Sequence, residues 1–171
     1  MGSLGHLTKR FFGSLLPIGP TRRDDEWARE HLLVGEQQLW NRMSAQDRRH
    51  AAGVARLAHE YLGEPEREVT AAALLHDVGK IDANLGTIRR ALATIAVVLA
   101  GRDTAELWVK SSGMTRRFGL YVKHPEIGAD LLELAGSHPL TVAWAREHHV
   151  PPAQTSLPLE IAEALALADN D

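Results

Sequence analysis

From Asp24 onward, apolar residues recur every three to four positions between short glycine- and proline-bearing breaks. Nowhere do they alternate with polar residues over the length of a strand; "GLYVK" at 119–123 comes nearest and is too short. Ser44, with Asp47 three residues on, predicts a capped helix start, and Gly63 a stop. A second helix is predicted from about Pro65 to Val78, ending at Gly79. Thr87 and Asp103 are predicted caps for two more. Pro125 opens a helix that Gly136 closes, and Pro139 opens one that ends before Pro151 and Pro152. The last begins near Pro158 and runs to the C-terminus. The pattern predicts an all-α fold. It divides the chain into an N-terminal arm and leading helix over residues 1–43 and a main helical domain over 44–171. Within the first part, residues 1–23 carry "LTKRFFGSLL", read as one short apolar turn in an arm lying on the domain or partly disordered.

Composition narrows the function. The 171 residues are 44% hydrophobic and 24% charged, ordinary for a globular domain. The formal net charge of −3 speaks against a general nucleic-acid or membrane-surface binder. The longest apolar run, "ALATIAVVLA" at 91–100, is too short to cross a bilayer. The start has neither a signal-peptide core nor a myristoylation pattern. A cytoplasmic location is the expectation. With no cysteine, disulfides, thiolate metal sites and cysteine nucleophiles are excluded.

The chemistry lies in the nine histidines. Turning each predicted helix at about 100° per residue sorts them onto faces. His50 heads the stripe of Val54, Leu57, Ala58 and Tyr61, whereas His59 falls on the opposite, water-facing side. His76 and Asp77 stand side by side at the end of "AAALLHDVGK". His124 heads the stripe of Ile127, Gly128, Leu131 and Leu132, and Gly128 lets another backbone come close. His148 shares a face with Leu140 and Trp144, with His149 its neighbour. Asp169 shares one with Ile161 and Leu165. Five segments thus each send a His or Asp from an apolar face. Buried polar groups need partners, and several imidazoles with two carboxylates and no thiolate suit a divalent transition metal: Fe, Mn, Ni, Co or Zn. Neighbours 100° apart, such as His76 and Asp77, can both reach one ion lying between them.

The order His50, His76-Asp77, Asp169 resembles the HD-domain metal-dependent phosphohydrolases. "LLHDVGK" at 74–80 is similar to that family's central motif. "HPEIGADLL" at 124–132, "REHH" at 146–149 and "ALALADND" at 164–171 resemble its later blocks in the same order. The resemblance implies an HD-domain helical bundle over 44–171 with a central metal site. It implies that His50, His76, Asp77 and Asp169 hold one ion, that His124, His148 and His149 complete a second site, and that Asp77 bridges the two as a catalytic residue. The two-metal branch with a Gly-Tyr-Pro motif, the cyclic dinucleotide phosphodiesterases, is related. Here "VPPAQTSLP" follows "EHH", which speaks against cyclic di-GMP as substrate. Gln46 stands where members with a third ion carry glutamate.

One or two divalent ions would activate water for attack on phosphorus. Lys80, one turn past His76, is the expected catalytic and phosphate-binding cation, with Arg116 and Arg117 as further substrate contacts. The expected activity is hydrolysis of a phosphodiester or phosphomonoester in a nucleotide-like or other small phosphorylated molecule. The alternatives are a mixed-valence di-iron oxygenase of the same superfamily, or a non-catalytic metal-binding module. His31 and His138 are expected to be surface or capping residues.

Overall fold

The computed structural model describes residues 19–170, except for the side chains of Thr87, Ile88, Ala91, Arg102 and Glu106. The apolar turn expected near residues 7–16 lies outside the described residues. Eleven α-helices are described: α1 (Arg22–Glu30), α2 (Val34–Arg42), α3 (Ala45–Leu62), α4 (Arg67–Leu75), α5 (Lys80–Ala83), α6 (Thr87–Ala100), α7 (Arg102–Leu107), α8 (Gly113–Val122), α9 (His124–Leu134), α10 (Pro139–Glu147) and α11 (Leu159–Asn170). Short 3-10 turns lie at Trp108–Lys110 and Pro152–Gln154. No strand occurs among the described residues, and the fold is all-α.

α4 is the axis of the bundle. Every residue from Val69 to Leu75 is buried, the signature of a helix enclosed on all sides. Its run of alanines lets neighbours approach closely: α3 packs on one flank and α10 on another, α11 lies on α3, and α9 lies on α10. Trp40, Leu74, Leu75, Leu132, Trp144 and Leu165 fill the space between. Ala28, Leu32, Leu39 and Met43 bring α1, α2 and the turns after them into the same core. A smaller cluster of Ala83, Leu85, Ala93 and Leu120 joins α6 to α8.

Local chemistry sets most boundaries. Ser44 Oγ accepts the Asp47 N–H at 3.1 Å and caps α3, and Gly63 at φ 78° ends it. Glu36 reaches back to the Leu33 N–H at 2.7 Å to cap α2. Pro125 and Pro139 occupy first turns, and the His138 imidazole caps α10 by accepting the Leu140 N–H.

Three expectations are corrected. α4 ends at Leu75, not Val78. Residues 76–79 form tight turns because Gly79 is driven against α9, where an added Cβ would stand 2.0 Å from the His124 carbonyl oxygen. Neither Thr87 nor Asp103 is a cap: Gly86 and Gly101 take those places, Gly101 at φ 82° ending α6 and opening α7 at once. His59 does not face water. α1 crosses α3 there, so His59 is half-buried, 2.9 Å from Thr70 Oγ1, with its ring edge on Trp27.

Candidate metal centre

Three helices end in the same way, and the site follows from it. The last carbonyls of an α-helix have no partner within the helix. The histidine that follows α4, α8 or α10 supplies one by turning its ring back on its own chain. Nδ1 lies 2.9 Å from the Ala73 oxygen for His76, 2.7 Å from Tyr121 for His124 and 2.8 Å from Ala145 for His148. A carbonyl only accepts, so each Nδ1 carries a proton, and Nε2 is the nitrogen left to face the cluster and, when deprotonated, to ligate. All three Nε2 atoms are buried and lack a hydrogen-bond partner.

These nitrogens surround Asp77, which is almost wholly buried. Its Oδ1 lies 3.3 Å from His124 Nε2 and 3.7 Å from His148 Nε2, while Oδ2 lies 3.4 Å from His76 Nε2. Asp169, reaching in from α11, sits 2.9 Å from His50 Nε2 and 3.6 Å from His76 Nε2. The donors fall into two triplets, His50–His76–Asp169 and His124–His148–His149, each with its ligand atoms within 4.8 Å of one another. Asp77 turns one oxygen toward each. The seven residues expected from the sequence are therefore brought together from α3, the α4–α5 turn, α9, the turn after α10, and α11.

Protonation suits ligation. Burial opposes charge on Asp77, but Lys80 and His76 outweigh it and hold its carboxyl well below the usual range. Burial is likewise overcome at Asp169 by the His50 hydrogen bond and the His76 charge, so it too stays ionised. Burial first, then neighbouring His76, pushes His148 down to about 3. Burial and His124 push His149 down to about 4. His76 goes the other way, up to about 9, because Asp77 and Asp169 outweigh its burial. The ionised Asp77 and Asp169 with the neutral His148 and His149 form a nitrogen-and-oxygen donor set, which His76 joins on giving up its proton. Buried ring nitrogens without hydrogen-bond partners fit a cation, since leaving such atoms unsatisfied is otherwise unfavourable. The residues present fit one or two divalent transition ions.

Lys80 opens α5, and its ammonium is ion-paired with Asp77 Oδ2. It also lines a groove of about 250 Å³ with Arg42, Ser44, Asp47, Asn84 and Arg90. Arg117 reaches the groove's edge, 3.4 Å from the Asn84 oxygen. Arg116 is exposed on α8 and is not brought to the cluster. Two interactions have little or no signal in the sequence, although Arg90 itself is read there, with Arg89 and Lys123, as positive charge flanking the site. Arg90 forms a two-pronged ion pair with Asp47 across the groove, a pairing of residues 43 apart that no local pattern signals. Tyr121 stacks on His124 with ring centroids 5.7 Å apart; its place three residues before a histidine was the only signal.

A family model described as HD domain matches residues 48–170, a span that includes every residue of both triplets and Asp77. Neither the curated proteins nor the solved structures provide a match.

Proposed function

The chain belongs to the HD-domain family of metal-dependent hydrolases, and from that membership we propose that it hydrolyses a phosphate ester in a small, nucleotide-like molecule. The observation that carries the reading is the ring of buried, partnerless Nε2 atoms on both sides of Asp77. His50, His76 and Asp169 would hold one divalent ion, His124, His148 and His149 the other, with Asp77 bridging. Ions so held lower the pKa of water toward neutrality and polarise phosphoryl oxygens.

The chain's own residues do the rest. The Nδ1–carbonyl bonds fix each ring so that no tautomer change is needed on loading. Asp77, kept ionised, serves as hydrogen-bond acceptor for the attacking water. Lys80, ion-paired with Asp77 on one side and lining the groove on the other, would meet an anionic substrate, and its charge supports a phosphoryl substrate over a neutral one.

The test is hydrolysis of bis-p-nitrophenyl phosphate and a panel of nucleoside monophosphates with Mn, Ni, Co or Fe supplied. Turnover by the wild type, lost in Asp77→Asn and reduced mainly through KM in Lys80→Met, is the expected result. A wild type that binds metal yet turns over none of the panel would overturn the reading.

A further inference from the structure

α6 leaves Leu92, Ile95, Val98 and Leu99 between 52% and 82% exposed. Between Arg90 and Arg102 the sequence has no charged residue. A helix so apolar is normally covered, yet among its described side chains Ala93 alone is buried. At about 100° per residue, the four exposed residues form one stripe on the side away from Ala93.

Opposite charges bracket the stripe. Arg89, three residues before Leu92, and Asp103, four after Leu99, are both exposed, and neither is ion-paired with another described residue. Arg90, by contrast, turns to Asp47. Leu92 and Leu99 are centred between Ile95 and Ala96, and Arg89 and Asp103 on Ala96 itself. One two-fold axis crossing α6 at that point therefore serves both pairs. It sets Leu92 against Leu99 of a second copy and Arg89 against that copy's Asp103, and symmetry repeats each contact. A parallel alignment would instead oppose Arg89 to Arg89 and Asp103 to Asp103, and like charges repel. We propose that α6 is a self-pairing surface, through which two copies of this chain dock with their α6 helices antiparallel about an axis near Ile95 and Ala96. A contact confined to one helix of about 21 Å falls in the small class of interfaces, below roughly 1,200 Å² in total. The association is accordingly reversible, with an expected Kd of about 1–100 μM.

Sedimentation velocity of the full chain over roughly 1–500 μM tests this, because self-association follows mass action. The wild type should pass from monomer to dimer across that range. Ile95→Glu and Leu99→Glu alter exposed side chains, so Tm should hold while Kd rises at least roughly tenfold. Leu134→Glu, at an equally exposed apolar site on α9, should leave Kd unchanged. Arg89→Glu brings two acidic groups together and should weaken pairing by roughly tenfold. Adding Asp103→Arg to it reverses both charges and should restore the dimer. A wild type that stays monomeric throughout would overturn the proposal. So would a dimer that Leu99→Glu leaves intact or Leu134→Glu dissolves, or a double charge reversal no better than the single one.

Discussion

Gly79→Ala tests how the site is held together. Gly79 sits at φ −64°, ψ −15°, a conformation alanine adopts freely, so the whole effect is steric. The new Cβ would lie 2.0 Å from the His124 oxygen, 2.6 Å from Gly128 N and 2.9 Å from the His124 carbonyl carbon. All three are backbone atoms that cannot rotate away, so α9 must retreat by more than an ångström. Overpacking of this kind destabilises by roughly 1–3 kcal/mol. At about 2–4 °C per kcal/mol for a chain of this size, that lowers Tm by roughly 2–12 °C. The retreat also carries His124 away from Asp77, now 3.3 Å distant, so metal affinity should fall with stability. Gly53→Ala is the control. It lies within α3 with nothing within 4 Å of the added Cβ and should stabilise by about 0.5–1 kcal/mol. Thermal unfolding of the three metal-free proteins by circular dichroism decides. If Gly79→Ala melts with the wild type, close backbone contact does not position His124.

Metal loading should release a proton from His76. Its folded pKa of about 9 lies above the ordinary value near 6.5. In the metal-free protein this group's stabilisation is therefore present below about pH 6.5 and is lost as pH rises through about 9. A ligating imidazole must be neutral, so titration calorimetry at about pH 7.5 in buffers of different ionisation enthalpy should give buffer-dependent heats. Identical heats would refute the assignment. Arg90→Ala strands the buried Asp47 carboxylate, whose pKa Arg90 helps to lower against its burial, and should destabilise by roughly 3–5 kcal/mol. Asp47→Leu with Arg90→Met should recover most of that in urea unfolding. A loss below about 1 kcal/mol for Arg90→Ala would class the pair with ordinary surface bridges.

What the sequence made legible was chemistry acting over a few residues. Ser44 and Gly63 bound α3 because cap and stop are local devices, and the prolines at 125 and 139 open helices for the same reason. The convergence of His50, His76, His124, His148 and Asp169 was legible because each ends or heads an apolar face. The end of α4 was not: alanine and leucine favour continuing the helix, and what stops it is Gly79 meeting Gly128 in a different segment. Gly128 marks a point of close approach in the sequence, but its partner, Gly79, lies 49 residues away. His59 was misplaced because helical period shows which side is polar, not that Trp27 will cover it. The shared orientation of His76, His124 and His148 has no sequence signature, since it depends on rings folding back onto helix-end carbonyls.

The central claim is that Asp77 joins two ligand triplets, His50–His76–Asp169 and His124–His148–His149, into a centre for divalent ions. Elemental analysis of protein purified without chelator, wild type beside His76→Ala and His124→Ala, tests it most directly. The account predicts about two ions per chain in the wild type, with each variant losing the ion of its own triplet first and binding the remaining one more weakly. A wild type carrying no metal after incubation with Mn, Fe, Co, Ni or Zn would contradict it.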